Sequence, residues 1–240
     1  MERVEVGGTP VVVQRPSTPG PHPAVVVLHE ASGLNRDIRR IVQRLADRGY
    51  VAAAPALYRD AGRSCIARTV RDALVPARRG TTDRIERVRR WLADADGVDG
   101  DRIGVIGFCM GGGFAVVAAA RSPFGAAAVN YGRVPSDPQL LVGSCPVVAN
   151  YGAQDRLVPG GTARRYEELL DAQGVPVDVA VFDGVGHSFM NHEPVVARLI
   201  GVAFDGPTAE RAWERIERFF STHLDPDASP ADADPRADGR

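Results

Sequence analysis

The chain has 240 residues, of which 44% are hydrophobic and 25% charged, and a formal net charge of −1; this is the composition of a globular protein long enough to bury a large core. All 29 basic residues are arginine and are interspersed with acidic neighbours, so no basic block points to nucleic acid or to an anionic membrane surface. Cys65, Cys109 and Cys145 show no CxxC spacing, which supports neither a disulfide framework nor a zinc site.

Taken in chain order, Val4 to Val6 and Val11 to Val13, joined through Gly7-Gly8, predict an antiparallel hairpin at a sheet edge. Short apolar runs follow at Ala24 to Leu28, Val51 to Ala54, Ile103 to Ile106, Ala126 to Val129, Val147 to Ala149 and Val177 to Phe182. Runs apolar on both faces belong to parallel strands covered by helices. Between them Ile38, Ile41, Val42 and Leu45 recur at helical spacing, with Gly49 as the stop. Further helices are expected over Asp83 to Ala93, Gly111 to Arg121, Thr162 to Gln173 and Thr208 to His223. This βαβ alternation predicts one doubly wound α/β domain over 1–224. Residues 225–240, rich in Asp, Ala and Pro without apolar period, are expected to be a disordered tail. The longest apolar stretch, Phe114 to Ala120, is too short for a bilayer, and the start MERVEVGG carries no charged-then-apolar leader. No membrane partner and a cytoplasmic location are therefore expected.

Chemistry concentrates at GFCMGGG, residues Gly107 to Gly113. In a strand-turn-helix setting, Gly-x-Nuc-x-Gly places a nucleophile on a sharp turn above the sheet. With this composition GxCxG arises by chance in roughly 3 or 4 of 100 such chains, so the setting carries more weight than the motif. Here the helix N-terminus and the Met110 amide can stabilise negative charge beside Cys109. A thiol nucleophile needs a base and a group to orient that base, in the order nucleophile, acid, histidine on this fold. Asp155, after Val147 to Ala149, and His187, after Val177 to Phe182, occupy those places. Both follow strand C-terminal ends, where open α/β sheets bind ligands. Asp183 is the rival acid, and His192, His29, His22 and His223 are the rival histidines. Glu30, in HEASG after Ala24 to Leu28, could accept the thiol proton, with the Ala31 amide opposite that of Met110.

The combination of HEASGL, PALY, GFCMGG, NYG at Asn130 to Gly132, the Asp155 segment and GHSF resembles the dienelactone hydrolase family of α/β-hydrolases. The likeness runs from about residue 1 to residue 223. It implies an α/β-hydrolase fold, a mostly parallel central sheet with helices on both faces and no large cap domain. It also implies a Cys109, His187, Asp155 triad, with Glu30 matching the family glutamate that activates the thiol when substrate arrives. In the dienelactone-cleaving enzymes an arginine follows the catalytic histidine by four positions and holds the substrate carboxylate. Here that position is Asn191, which is taken as a substrate-binding residue together with Ala31 and Met110. A second substrate arginine is expected among the six between Tyr58 and Thr82, a stretch interrupted by Pro76 and Gly80 and expected at the pocket rim. The expectation is a hydrolase without cofactor or metal, monomeric or homodimeric, that opens a small ester or lactone through a cysteinyl thioester. Acyl transfer on the same triad, and a non-catalytic ligand-binding or thiol-sensing homologue, are the alternatives. Cys65 and Cys145 are read as structural.

Overall fold

The computed structural model describes residues 1–57, 80–192 and 203–224. Among them, eight strands form one sheet: β1 (Glu2–Val6), β2 (Thr9–Gln14), β3 (His22–Leu28), β4 (Val51–Pro55), β5 (Val98–Phe108), β6 (Ala126–Asn130), β7 (Val147–Gly152) and β8 (Val177–Phe182). Their order across the sheet is β1-β2-β4-β3-β5-β6-β7-β8. The β1–β2 hairpin joins antiparallel to β4, and every pairing from β4 to β8 is parallel. The expected edge hairpin and parallel core are both present, and no large cap is evident among the described residues.

The helices are α1 (Arg36–Asp47), α2 (Gly80–Ala93), α3 (Met110–Arg121), α4 (Thr162–Asp171) and α5 (Gly206–Leu224). They divide between the faces as the alternation of buried residues requires. Val26, Leu28, Val105 and Val129 pack with Ile85 and Val88 of α2, Phe114 of α3 and Tyr166 of α4. Val25, Val27, Ile106 and Ala128 pack on the opposite face with Ile38 and Leu45 of α1 and with Trp213, Ile216 and Phe220 of α5. Residues 24 to 28 of β3 are wholly buried, which is why a central parallel strand reads as an unbroken apolar run. Each such Val or Leu contributes about 1.5 to 3 kcal/mol of burial.

Two departures have local causes. β5 begins at Val98, well before the apolar run, because His22 pairs with Val98 across the irregularity in β3; the polar Asp99-Gly100-Asp101 segment hid this extension. A 3-10 turn over Pro138–Leu141, capped by the Asp137 side chain on the Gln139 amide, was not anticipated. The expected tail 225–240, Cys65, and the arginines of 59–79 lie outside the described residues. No helix among the described residues is long and apolar enough to cross a membrane.

Candidate active site

Cys109 sits between β5 and α3 with φ 54 and ψ −114, a backbone conformation rare for a residue with a side chain and most often found where function requires it. The turn is held by main chain: the Cys109 amide donates to the Asn130 carbonyl at 3.0 Å, and the Gly113 amide donates to the Cys109 carbonyl at 3.1 Å. The flanking glycines are needed for space. A Cβ on Gly107 would lie 2.1 Å from the Gly111 carbonyl oxygen, and one on Gly111 would lie 2.2 Å from that of Leu28. The second contact presses the start of α3 against the end of β3, so Cys109 and Met110 meet the segment that carries Glu30 and Ala31. Met110 is the first residue of α3, and the first N–H groups of a helix take their partners from outside it.

His187 follows β8 and Asp155 follows β7, with imidazole Nδ1 2.7 Å from Asp155 Oδ2. Both side chains are nearly buried, at 5% and 3% exposure. Asp155 is itself fixed, because its Oδ1 accepts from the Leu157 amide at 2.7 Å and the Val158 amide at 3.1 Å. Burial works against its charge, yet the bond to His187 and these amides hold it below its ordinary value. Burial also works against a charged imidazole, but Asp155 and the Cys109 thiol outweigh it and raise His187 to about 9. Nε2 is buried, and the Cys109 sulfur is close enough to bond to its proton as well as to act on its charge. The arrangement can deliver and recover a proton beside the Cys109 sulfur.

Glu30 is 2% exposed. Its Oε1 accepts from Ser32 Oγ at 2.8 Å and from the Asn35 side-chain amide. Asn35 also caps α1 by accepting from the Ile38 amide at 2.9 Å. One residue therefore starts a helix and holds the carboxylate. A cap-type residue ahead of an apolar helix was the available signal for the first role; the second leaves no trace in spacing. His29 is completely buried. Its Nε2 accepts from the Leu57 amide at 3.1 Å, which leaves Nδ1 protonated and 2.7 Å from the Glu30 carbonyl. Burial lowers its pKa to about 4, so the ring is a neutral bridge between the loops after β3 and β4.

Asn191 is 1% exposed, and both ends of its amide engage protein groups: Oδ1 accepts from the Tyr131 hydroxyl, and Nδ2 donates to Asp37 Oδ2 at 2.7 Å. Tyr131 lies edge-on to the His187 ring, with centroids 5.1 Å apart. Asp37 was not singled out from the sequence and Tyr131 entered only within the NYG motif, since nothing in the sequence marks Tyr131 as meeting His187 or Asp37 as meeting Asn191.

The rivals lie elsewhere. Asp183 is exposed, His192 is exposed and stacks on Phe204, His22 reaches the Thr18 carbonyl, and His223 packs against Phe219. Burial pushes the Cys145 thiol up to about 12, which makes it unreactive.

Residues 9–224 match the model of the dienelactone hydrolase family. A protein of Escherichia coli strain K12, provisionally named carboxymethylenebutenolidase, is 30% identical over 222 residues, covering 85% of this chain and 78% of that one. The carboxymethylenebutenolidase of Rhodococcus opacus is 26% identical, covering 89% and 92%. Among solved structures, a dienelactone hydrolase-like promiscuous phosphotriesterase from metagenomic libraries superposes with a TM-score of 0.80 at 25% identity, over 92% of this chain and 96% of that one.

Proposed function

The chain belongs to the dienelactone hydrolase family of α/β-hydrolases, and we propose that it hydrolyses a carboxylic ester or lactone through a thioester on Cys109. The observation that carries this reading is the 2.7 Å bond between His187 and Asp155, with the imidazole coupled to a cysteine held at φ 54.

Asp155 accepts from Nδ1 and orients the ring, so that Nε2 faces Cys109 as the place where the thiol proton is taken up and held. The thiol proton passes to His187, with Glu30 as the second carboxylate able to take part in activation. Sγ attacks the carbonyl carbon, and the oxyanion is received by the amides of Ala31 and Met110. Collapse breaks the carbon–oxygen bond and His187 protonates the leaving oxygen. A water then gives a proton to His187 and attacks the thioester, and the carbon–sulfur bond breaks to release acid and thiol. The imidazole's high proton affinity suits the first transfer, and its Asp155 partner keeps the ring oriented for both halves.

The test is p-nitrophenyl acetate under stopped flow, with intact-protein mass spectrometry on quenched samples. A burst of nitrophenolate, steady turnover and an acetyl adduct mapped to Cys109 are expected. Turnover with no adduct on Cys109, or an adduct on Cys145, would overturn the reading.

A further inference from the structure

Resting on the triad reading above, we infer that Tyr131, fixed through Asn191 by the buried Asp37, is a positioning residue for His187. A single hydrogen bond from Nδ1 leaves the imidazole able to swing about that bond, and alignment of Nε2 with Sγ needs a second restraint. Tyr131 supplies it. Its ring meets the His187 ring at 64° with centroids 5.1 Å apart, and it is held from behind by Phe189 at 5.6 Å. Its amide donates to the Asn150 carbonyl at 2.8 Å, and the residue is held at φ 42, unfavourable for an aromatic side chain and sustained by its surroundings. The ring and hydroxyl span the turn carrying the histidine, from His187 to Asn191, a turn closed by the Asn191 amide on the Ser188 carbonyl at 2.9 Å.

Asp37 sets the polarity of this link. A carboxylate only accepts, so Asn191 turns its NH₂ to Asp37 and its carbonyl to Tyr131, and the tyrosine hydroxyl must donate. The side chain of Asp37 is 7% exposed, with Arg40 3.9 Å away as its ion-pair partner. The relay thus runs from the first turn of α1 to the imidazole, and Asn191 acts through Tyr131 instead of on the substrate.

The experiment is a double-mutant cycle of Tyr131→Phe and Asp37→Asn on two activated esters of similar size, one neutral and one bearing a carboxylate. Tyr131→Phe keeps the ring and removes the bond, so kcat should fall about 5-fold for both esters with KM within about 2-fold. Asp37→Asn should cost a similar factor, and the double variant should be no slower than the worse single variant, because both break one chain. The pH midpoint of Cys109 alkylation by iodoacetamide should move in both, which a purely structural defect would not cause. Effects that multiply independently, a KM change confined to one ester, or an unmoved alkylation midpoint would overturn the inference. Tyr131→Phe with unchanged kcat would do so as well, even if Asp37→Asn failed to fold. If Cys109→Ala retained activity, the triad reading would fail instead, so the two failures are distinguishable.

Discussion

The turn that carries Cys109 and the loop that carries His187 stand at strand ends of one sheet, and main chain and side chains share differently in placing the two side chains. Cys109 follows β5, inside the sheet, and its position is written in main chain: two backbone hydrogen bonds, a positive φ, and glycines whose missing Cβ atoms let α3 touch β3. His187 follows β8, an edge strand, and its ring is set by side chains from distant places, Asp155 on one side and Tyr131 on the other. A site fixed by backbone needs contiguous residues and leaves a motif. A site fixed by side chains leaves scattered residues with no shared pattern.

The largest effect is expected from Cys109→Ala, which removes the proposed nucleophile while leaving the turn: kcat for an activated ester should fall by about 10⁴-fold or more, with circular dichroism unchanged. Wild-type turnover in that folded variant would end the thioester mechanism. His187→Ala should come next, followed by Asp155→Asn with a loss of about 10²- to 10⁴-fold. Losing the Asp155 charge should also bring the His187 pKa down from about 9 toward its ordinary 6.5. Because the folded value is the higher one, the stability that His187 contributes is complete below about pH 6.5 and lost as pH rises through about 9. Histidine NMR titration and thermal melts across that window read both, and an unchanged titration in Asp155→Asn would deny that the carboxylate sets the ring's proton affinity.

That ordering also explains what the sequence disclosed. The elbow, the acid and the histidine were readable because strand ends are marked by apolar runs, and each residue follows one directly. Asn35 and Asp37 were not, and Tyr131 appeared only within the NYG motif, because their significance lies in contacts across 5, 154 and 56 positions of chain. Asn191 was found by its offset from His187, but its partners were invisible there.

The contrast predicts different tolerance to a methyl group. Gly111→Ala drives a Cβ to 2.2 Å from the Leu28 carbonyl and should cost about 2 to 3 kcal/mol, lowering Tm by roughly 4 to 12 °C. Gly184→Ala, beside the histidine's loop, meets open space at φ +77 and should cost only the backbone strain, about 1 kcal/mol. Equal melting temperatures for the two variants would erase the distinction between the regions.

The smallest effect concerns Asn191→Arg. In the dienelactone enzymes an arginine at this position holds the substrate carboxylate, where a bond to a charged group contributes about 1.5 to 3 kcal/mol, or roughly 10- to 150-fold. Here Asp37 lies 2.7 Å from the Asn191 amide and would pair with the new guanidinium first. The ratio of kcat/KM for a carboxylate-bearing lactone over a neutral one should therefore move by less than about 10-fold. Combining Asp37→Asn with Asn191→Arg should widen the shift; a full shift from Asn191→Arg by itself would show that Asp37 does not compete.

His29 gives the molecule an acid limit. The ring joins Glu30 and Leu57 only while uncharged, and its pKa of about 4 in the folded protein lies well under the ordinary 6.5 of an unfolded chain. Unfolding in mild acid must therefore take up a proton. Stability from this source is whole above about pH 6.5 and drains as pH falls toward 4, by about 3 kcal/mol in all. The bridge joins the loops after β3 and β4, the former carrying Glu30 and Ala31, so mild acid draws directly on the free energy that ties these two loops together.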